Sequence, residues 1–181
     1  MATSRVIPAA AALISLLLPV AQGADLPRKA PDYTVNLLGG KTLPLSQFKG
    51  HPVVVAFILT TCSHCQMTVG LLAKDQNEYG PRGLQVVASA IEENAQEALP
   101  VFLRNFHLPF PVGYNTMASA GAFIQPTGKM PMMPLLAFID KRGNIVAQHE
   151  GEEPFFNEQV EQNLRKQIEA LLKDNAPLKK K

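Results

Sequence analysis

The order of apolar and polar residues along the chain predicts strands that alternate with helices. Two runs, 53–59 and 84–90, are apolar almost throughout, which is typical of strands covered on both faces of a sheet. Elsewhere apolar residues recur three and four positions apart, as they do on one face of a helix. This spacing predicts a helix that ends near Tyr79, and further helices over 94–106, 116–123 and 155–173.

Glycine and proline mark the turns between these elements. Gly39-Gly40 separates two short alternating runs, 33–37 and 42–45, and predicts an N-terminal hairpin. A second hairpin is expected from strands at 135–139 and 145–149, and the proline-rich segment 125–134 is expected to be a loop.

Local sequence signals also predict where the first two helices begin. Thr60 or Thr61 is expected to cap the first helix. Pro100 fits the second helix only in its first turn, so that helix is expected to begin later than Asn94. Alternating strands and helices require a sheet with parallel pairs and helices on both faces.

The first 23 residues have the pattern of a secretory signal peptide. Arg5 precedes an apolar run of 16 residues at 6–21. Ala21 and Gly23 are the small residues that a cleavage site after Gly23 requires. The alternative is a retained membrane anchor, although the run is shorter than the roughly 20 residues that span a bilayer. We therefore expect residues 1–23 to be a signal peptide, 24–176 one domain and 177–181 a basic tail. The protein is then exported, to the periplasm or another extracytoplasmic space.

Composition narrows the function classes only slightly. A formal net charge of +2 is too small to indicate a nucleic-acid partner, and a hydrophobic fraction of 46% is ample for one core. We expect a monomer that meets a membrane only if the N-terminal segment is retained.

The chain has two cysteines, and both lie in the sequence Cys62-Ser63-His64-Cys65. The pair follows an apolar strand and begins a helix, where unpaired N–H groups stabilise a thiolate. A disulfide across two intervening residues removes little chain entropy, so it is a poor structural crosslink. The spacing favours a redox couple over a permanent disulfide or a pair of inert thiols. Cys62, nearest the helix start, is the candidate nucleophile, and Cys65 is the candidate resolving thiol.

His64 stands between the two thiols and is the third candidate residue. When protonated it places a positive charge near the Cys62 thiolate. Stabilising that thiolate stabilises the reduced form, and the disulfide becomes more oxidising. The alternative is a solvent-exposed histidine without an electronic role.

These motifs together resemble the thioredoxin-like superfamily, and specifically the exported TlpA/ResA-type thiol–disulfide oxidoreductases. The resemblance covers about residues 32–172. It is carried by the N-terminal hairpin segment 33–50, the strand and cysteine pair at 53–65, the segments 71–74 and 79–87, and the segment 133–143 with its Met133-Pro134 step.

The resemblance implies an α/β, thioredoxin-like three-layer fold, with a central mixed sheet, helices on both faces and an N-terminal β-hairpin. It implies a cis Met133-Pro134 bond beside the cysteines and pairing of the Met133 backbone with a bound peptide. Met130, Met132 and Met133 are expected to make this rim apolar, or else only to pack the loop. The implied activity is dithiol–disulfide exchange, without a cofactor, with protein thiol or disulfide clients and a redox partner protein.

The chain departs from the family pattern at three positions. Thr61 stands where the family usually has tryptophan, and Ala56 stands where thioredoxins carry a buried aspartate. Thr68 aligns with the glutamate of many TlpA-type proteins. Both carboxylates serve the family as proton acceptors for the second thiol, so removal of the Cys65 proton is left to water or to His64.

Two other function classes remain open. A peroxiredoxin-like peroxidase shares the fold but needs a threonine three residues before its cysteine, where this chain has Leu59. A copper-binding or copper-delivery module is the non-enzymatic alternative. His51, His107 and His149 are scattered and are expected at surfaces or turns, so no metal site is predicted.

Overall fold

The two apolar runs of the sequence become neighbouring parallel strands in the middle of a sheet. In the computed structural model, which describes residues 24–126 and 131–173, β4 (Val53–Ile58) pairs in parallel with β5 (Gln85–Ala90). All six residues of β4 are buried, as expected for a strand covered on both faces.

Within residues 24–126 and 131–173, the sheet has eight strands in the order β1-β8-β7-β4-β5-β6-β2-β3. Its other strands are β1 (Arg28–Lys29), β2 (Thr34–Asn36), β3 (Thr42–Pro44), β6 (Val112–Tyr114), β7 (Leu135–Ile139) and β8 (Asn144–Glu150). The pairs β4–β5 and β5–β6 are parallel and the others are antiparallel. The predicted hairpins are β2–β3 and β7–β8, whereas the short edge strand β1 was not predicted.

In the described part of the chain, four α-helices cover the two faces of this sheet. They are α1 (Ser63–Tyr79), α2 (Ala95–Phe106), α3 (Met117–Ile124) and α4 (Val160–Lys173). Buried residues of α1, α2 and α4 share one core with one face of the sheet, and those of α3 belong to the core on the other face. The predicted three-layer, thioredoxin-like α/β fold with a mixed sheet and an N-terminal hairpin is therefore confirmed.

One prediction of a helix start is wrong. The helix predicted at 155–173 begins at Val160, and Pro154–Phe156 forms a separate 3-10 turn. Asn157 is extended between them, and its side-chain oxygen accepts a hydrogen bond from Gln159 N at 2.8 Å. The residues 155–159, predicted as helix, therefore lie before it.

Pro100 does not lie in the first turn of the second helix. The helix begins at Ala95, later than Asn94 as expected, but contains Pro100 in its interior. Leu99 and Phe102, on either side of the proline, are buried in the core. Their burial offsets the backbone hydrogen bond that proline cannot donate.

The predicted signal peptide at 1–23 and basic tail at 177–181 lie outside the described residues. Among residues 24–126 and 131–173, no helix is both long and apolar enough to cross a bilayer.

Candidate active site

Cys62 lies at the start of α1, directly after the central strand. Its N–H donates to Leu59 O at 3.1 Å, which fixes the turn that follows β4. Cys62 itself is the N-cap, with an extended backbone, and its Sγ accepts a hydrogen bond from Cys65 N at 3.4 Å. The expectation that Thr60 or Thr61 caps the helix is wrong, because the thiol occupies that place. The sulfur thus faces the first amides of α1, which have no partner within the helix.

The two thiols are free and have different surroundings. Cys62 is partly exposed, whereas Cys65 is fully buried within the core beneath α1. Burial raises the pKa of the Cys65 thiol far above its ordinary value, and the Cys62 thiol and the Glu92 carboxylate raise it further. Cys62 can therefore meet a substrate, and Cys65 keeps its proton until another group removes it.

His64 lies on the exposed side of the same turn. Its backbone oxygen accepts a hydrogen bond from Thr68 Oγ1 at 2.8 Å. The imidazole has no hydrogen-bond partner among the residues that the structure describes. His64 adjoins the two thiols, and its effect on the reduction potential of the pair remains a prediction.

Met133 and Pro134 reach the same edge of the sheet as the cysteines. The bond between them is cis, as the resemblance implied. Pro134 leads into β7, whose first residue, Leu135, pairs with Phe57 near the end of β4. Gly151 N donates to Met132 O at 2.8 Å and fixes this loop to the end of β8. Met132 is 53% exposed, and Met130 lies outside the described residues.

Sequence reasoning missed Glu92. This residue follows β5 at the carboxyl end of the strand beside β4. Its Oε1 accepts a hydrogen bond from Thr60 N at 2.8 Å and another from Thr60 Oγ1. Oε2 is buried, and no residue in the described part of the chain hydrogen-bonds it. The sequence could have indicated Glu92, because it follows a predicted parallel strand. Ligands bind at the carboxyl ends of such strands.

The positions that lack the family's carboxylates are occupied by small neutral side chains. Ala56 is buried in β4 between Ala88 and Leu136 of the neighbouring strands. Thr68 is buried in α1, and its hydroxyl donates to the helix backbone. Neither position carries a carboxylate, and the carboxylate beside the segment before Cys62 is that of Glu92, which follows β5.

The other histidines lie outside this arrangement. His51 is exposed before β4, and His107 ends α2 with a φ of 45°. His149 is partly exposed in β8, the strand predicted for this segment. Its ring stacks on Phe155 with the ring centroids 3.8 Å apart, and its Nδ1 lies 2.8 Å from Glu153 Oε2. No group of three His, Cys, Asp or Glu residues with metal-binding geometry occurs in 24–126 and 131–173.

Known proteins give an independent comparison. The Redoxin family model matches residues 27–164. The chain is 30% identical over 139 residues to the thiol-disulfide oxidoreductase ResA of Bacillus anthracis, covering 77% of this chain and 76% of that protein. It is 29% identical over 142 residues to ResA of Bacillus thuringiensis subsp. konkukian, with 78% of each chain covered.

Solved structures show the same fold. A putative thiol:disulfide interchange protein DsbE from Chlorobium tepidum superposes with a TM-score of 0.67 at 28% identity, over 82% of this chain and 98% of the other. A hypothetical protein from Sinorhizobium meliloti 1021 superposes with a TM-score of 0.70 at 20% identity, over 88% and 91% of the two chains, and shows the fold alone.

Proposed function

The chain belongs to the Redoxin family and is a thiol–disulfide oxidoreductase of the thioredoxin-like ResA/TlpA type, and from that premise we propose that it exchanges disulfides with proteins outside the cytoplasm through Cys62 and Cys65. The observation that carries the proposal is the unequal placement of the two thiols. One is partly exposed in front of a helix N-terminus, and the other is buried one helical turn behind it.

The first step is attack on a client disulfide. The Cys62 thiolate attacks one client sulfur, forms a mixed disulfide and releases the other client sulfur as a thiolate. The amide of Cys65 and the positive end of α1 stabilise the Cys62 sulfur as an anion, both before attack and when it leaves again.

The second step closes the pair. Cys65 loses its proton and attacks the Cys62 sulfur, which breaks the mixed disulfide and releases the second client thiolate. The client disulfide has then gained two electrons, and the two cysteines have lost them by forming one disulfide. The reverse sequence oxidises a client dithiol, and a redox partner protein restores the starting state.

The client peptide binds beside Met133 and Pro134. The backbone of Met133 pairs with an extended client segment as an added strand would. The exposed Met132 side chain gives this rim an adaptable apolar surface. Docking at this loop brings the client disulfide towards Cys62 because both lie at the carboxyl end of β4.

Single cysteine variants test the exchange mechanism. In a turbidity assay of insulin disulfide reduction, both Cys62→Ser and Cys65→Ser are expected to lose activity by about 100-fold or more, since each step needs one thiol. Cys65→Ser is expected to retain a covalent client adduct on Cys62, detected by mass spectrometry, and Cys62→Ser is not.

Two outcomes would contradict this assignment. Insulin reduction that survives the loss of Cys65 would exclude a dithiol mechanism. Peroxide consumption that survives the same loss would indicate a peroxidase instead.

Export is tested with the full chain expressed in a Gram-negative host. The expected product is periplasmic, and its intact mass corresponds to a chain that begins at Ala24. A full-length product in the membrane fraction would indicate a retained anchor, and a full-length cytosolic product would contradict export.

A further inference from the structure

Glu92 lies next to the segment that leads from β4 to Cys62. The two strands β4 and β5 end together, with Ile58 paired to Ala90 and Ile91 N donating to Ile58 O at 3.0 Å. The residue after Ile91 therefore lies beside Leu59 and Thr60. This placement follows from strand register and needs no motif in the local sequence.

The carboxylate of Glu92 is held by one of its two oxygens. Thr60 donates both its N–H and its hydroxyl to Oε1, and Gln66 Nε2 binds Thr60 O at 2.8 Å from the first turn of α1. Among residues 24–126 and 131–173, no donor reaches the buried Oε2. A carboxylate oxygen that accepts no hydrogen bond can receive a proton.

Glu92 is linked to the surroundings of the buried thiol and also borders a cavity. Its Oε1 accepts from Thr60 N, and the backbone of the preceding residue, Leu59, hydrogen-bonds the fully buried Cys65. Glu92 lines a cavity of about 420 Å³ together with Asn115 and Thr116. A proton that reaches this carboxylate can therefore leave to water without crossing the core.

We propose that Glu92 is the proton acceptor for Cys65 in the second exchange step, with Oε2 as the receiving atom. The proposal rests on the exchange function proposed above and identifies the group that performs its proton transfer. It assigns to the end of β5 a task that neither Ala56 nor Thr68 can perform, because neither side chain carries a carboxylate.

The step balances in atoms and electrons. The Cys65 S–H bond breaks, and its proton passes to Glu92, which becomes a neutral carboxylic acid. The Cys65 thiolate attacks Cys62 Sγ, a sulfur–sulfur bond forms between the pair, and the bond from Cys62 to the client breaks. The client sulfur leaves as a thiolate, and Glu92 releases its proton through the cavity to water.

A passive negative charge at Glu92 would have the opposite effect. A fixed anion near Cys65 disfavours the thiolate and raises the pKa of this thiol, in addition to the larger effect of burial. Removing a passive charge would make Cys65 easier to ionise and the second step faster. Removing a proton acceptor makes the second step slower, so the sign of the change separates the two roles.

The experiment uses the reduced full protein and the aromatic disulfide 5,5′-dithiobis(2-nitrobenzoate) in stopped flow. The first release of thionitrobenzoate depends on reagent concentration and reports attack by Cys62. The second release is independent of reagent concentration and reports attack by Cys65. Both phases are measured from pH 5.5 to 9.5 for the wild type, Glu92→Gln and Glu93→Gln.

In Glu92→Gln the second phase is expected to slow by about 100-fold near pH 7, because general bases typically contribute about 10²–10⁴-fold. The difference between the second-phase rates of the variant and the wild type is expected to shrink as pH rises, because hydroxide then replaces the missing base. The first phase is expected to stay within about twofold of wild type, since Cys62 does not use Glu92. Glu93→Gln removes the same charge from the exposed neighbour and is expected to leave both phases unchanged.

A second phase in Glu92→Gln that equals or exceeds the wild-type rate overturns the proposal, as does equal slowing of both phases. If Glu92→Gln does not fold, Glu92→Asp carries the test. It retracts the carboxylate by one methylene and is expected to slow only the second phase, and an unchanged second phase in that variant overturns the proposal. Absence of any second phase in the wild type would instead contradict the exchange function itself.

Discussion

Among individual residues, one turn of helix gives two chemically identical side chains different surroundings. Cys62 caps α1 and stays partly exposed, while Cys65 is buried in the core three residues later. Burial disfavours charge on the Cys65 sulfur, whereas the Cys62 sulfur accepts a hydrogen bond from the Cys65 amide. In the mechanism proposed above, this geometry leaves one thiol accessible for attack and delays the other until the mixed disulfide has formed.

His64 gives a prediction at this scale. Replacing His64 with Ala is expected to make the reduction potential more negative by roughly 10 to 30 mV, where about 30 mV is a tenfold change in the equilibrium constant. The reason is the loss of a positive charge that stabilises the Cys62 thiolate. The measurement is a glutathione redox titration.

His51→Ala is the control for this titration, because His51 is also exposed but precedes β4 at the opposite edge of the sheet. Its midpoint is expected to match wild type. An unchanged midpoint in the His64 variant would leave the imidazole without an electronic role.

At the scale of elements, the end of β8 supports the loop that carries Met133 and Pro134. A Cβ built at Gly151 would lie 2.7 Å from the Met133 carbonyl carbon and 2.9 Å from Met132 O. Only glycine allows this approach, since a methyl group there would meet backbone atoms that cannot rotate away. The strand end and the active-site loop are therefore positioned against each other.

Gly151→Ala is expected to displace this loop, to lower the free energy of unfolding by about 1 to 3 kcal/mol and to slow insulin reduction. Chemical denaturation and the turbidity assay measure the two effects. Gly121→Ala is the matched control in α3, because nothing lies within 4 Å of a Cβ at that position. It is expected to keep full activity and to raise stability by up to about 1 kcal/mol. Equal stability and equal activity of the two variants would contradict close packing of Gly151 against the loop.

At the scale of the whole molecule, stability depends on a buried carboxyl between α1 and α4. Asp75 is 3% exposed, and burial raises its pKa to about 6, despite Arg165 at 3.9 Å. Glu78 and Glu161 raise this pKa further, whereas Lys74 opposes them. The folded protein therefore holds the Asp75 proton more tightly than the unfolded chain does, and stability falls as pH rises from about 4 to about 6.

Asp75→Asn is expected to remove the fall in stability between about pH 4 and about pH 6. The variant should match wild type near pH 4 and exceed it above pH 6 by about 3 kcal/mol, the order given by a shift of this size. Thermal unfolding at a series of pH values measures the difference. Glu97→Gln is the control, because it removes an exposed carboxylate on α2 and is not expected to stabilise the protein at high pH. A gain in Asp75→Asn that is equally large at pH 4 would contradict titration as the cause.

Local patterns in the sequence determined most of the architecture. The apolar runs became β4 and β5, the glycine turn became the β2–β3 hairpin, and the cysteine pair began a helix, because each depends on residues close together in the chain. Local rules failed where distant packing prevailed. Pro100 is tolerated inside α2 by the burial of its neighbours, and Cys62, not a threonine, caps α1.

Residues close together in the chain were enough to predict the cysteine pair, its place after a central strand and the Met133-Pro134 step. They did not show which thiol is buried, that Gly151 packs against the loop with Met133, or that Glu92, 27 residues beyond Cys65, hydrogen-bonds the segment before Cys62. These features depend on which strands lie side by side in the folded protein. Strand register brings residues together that no spacing along the chain connects.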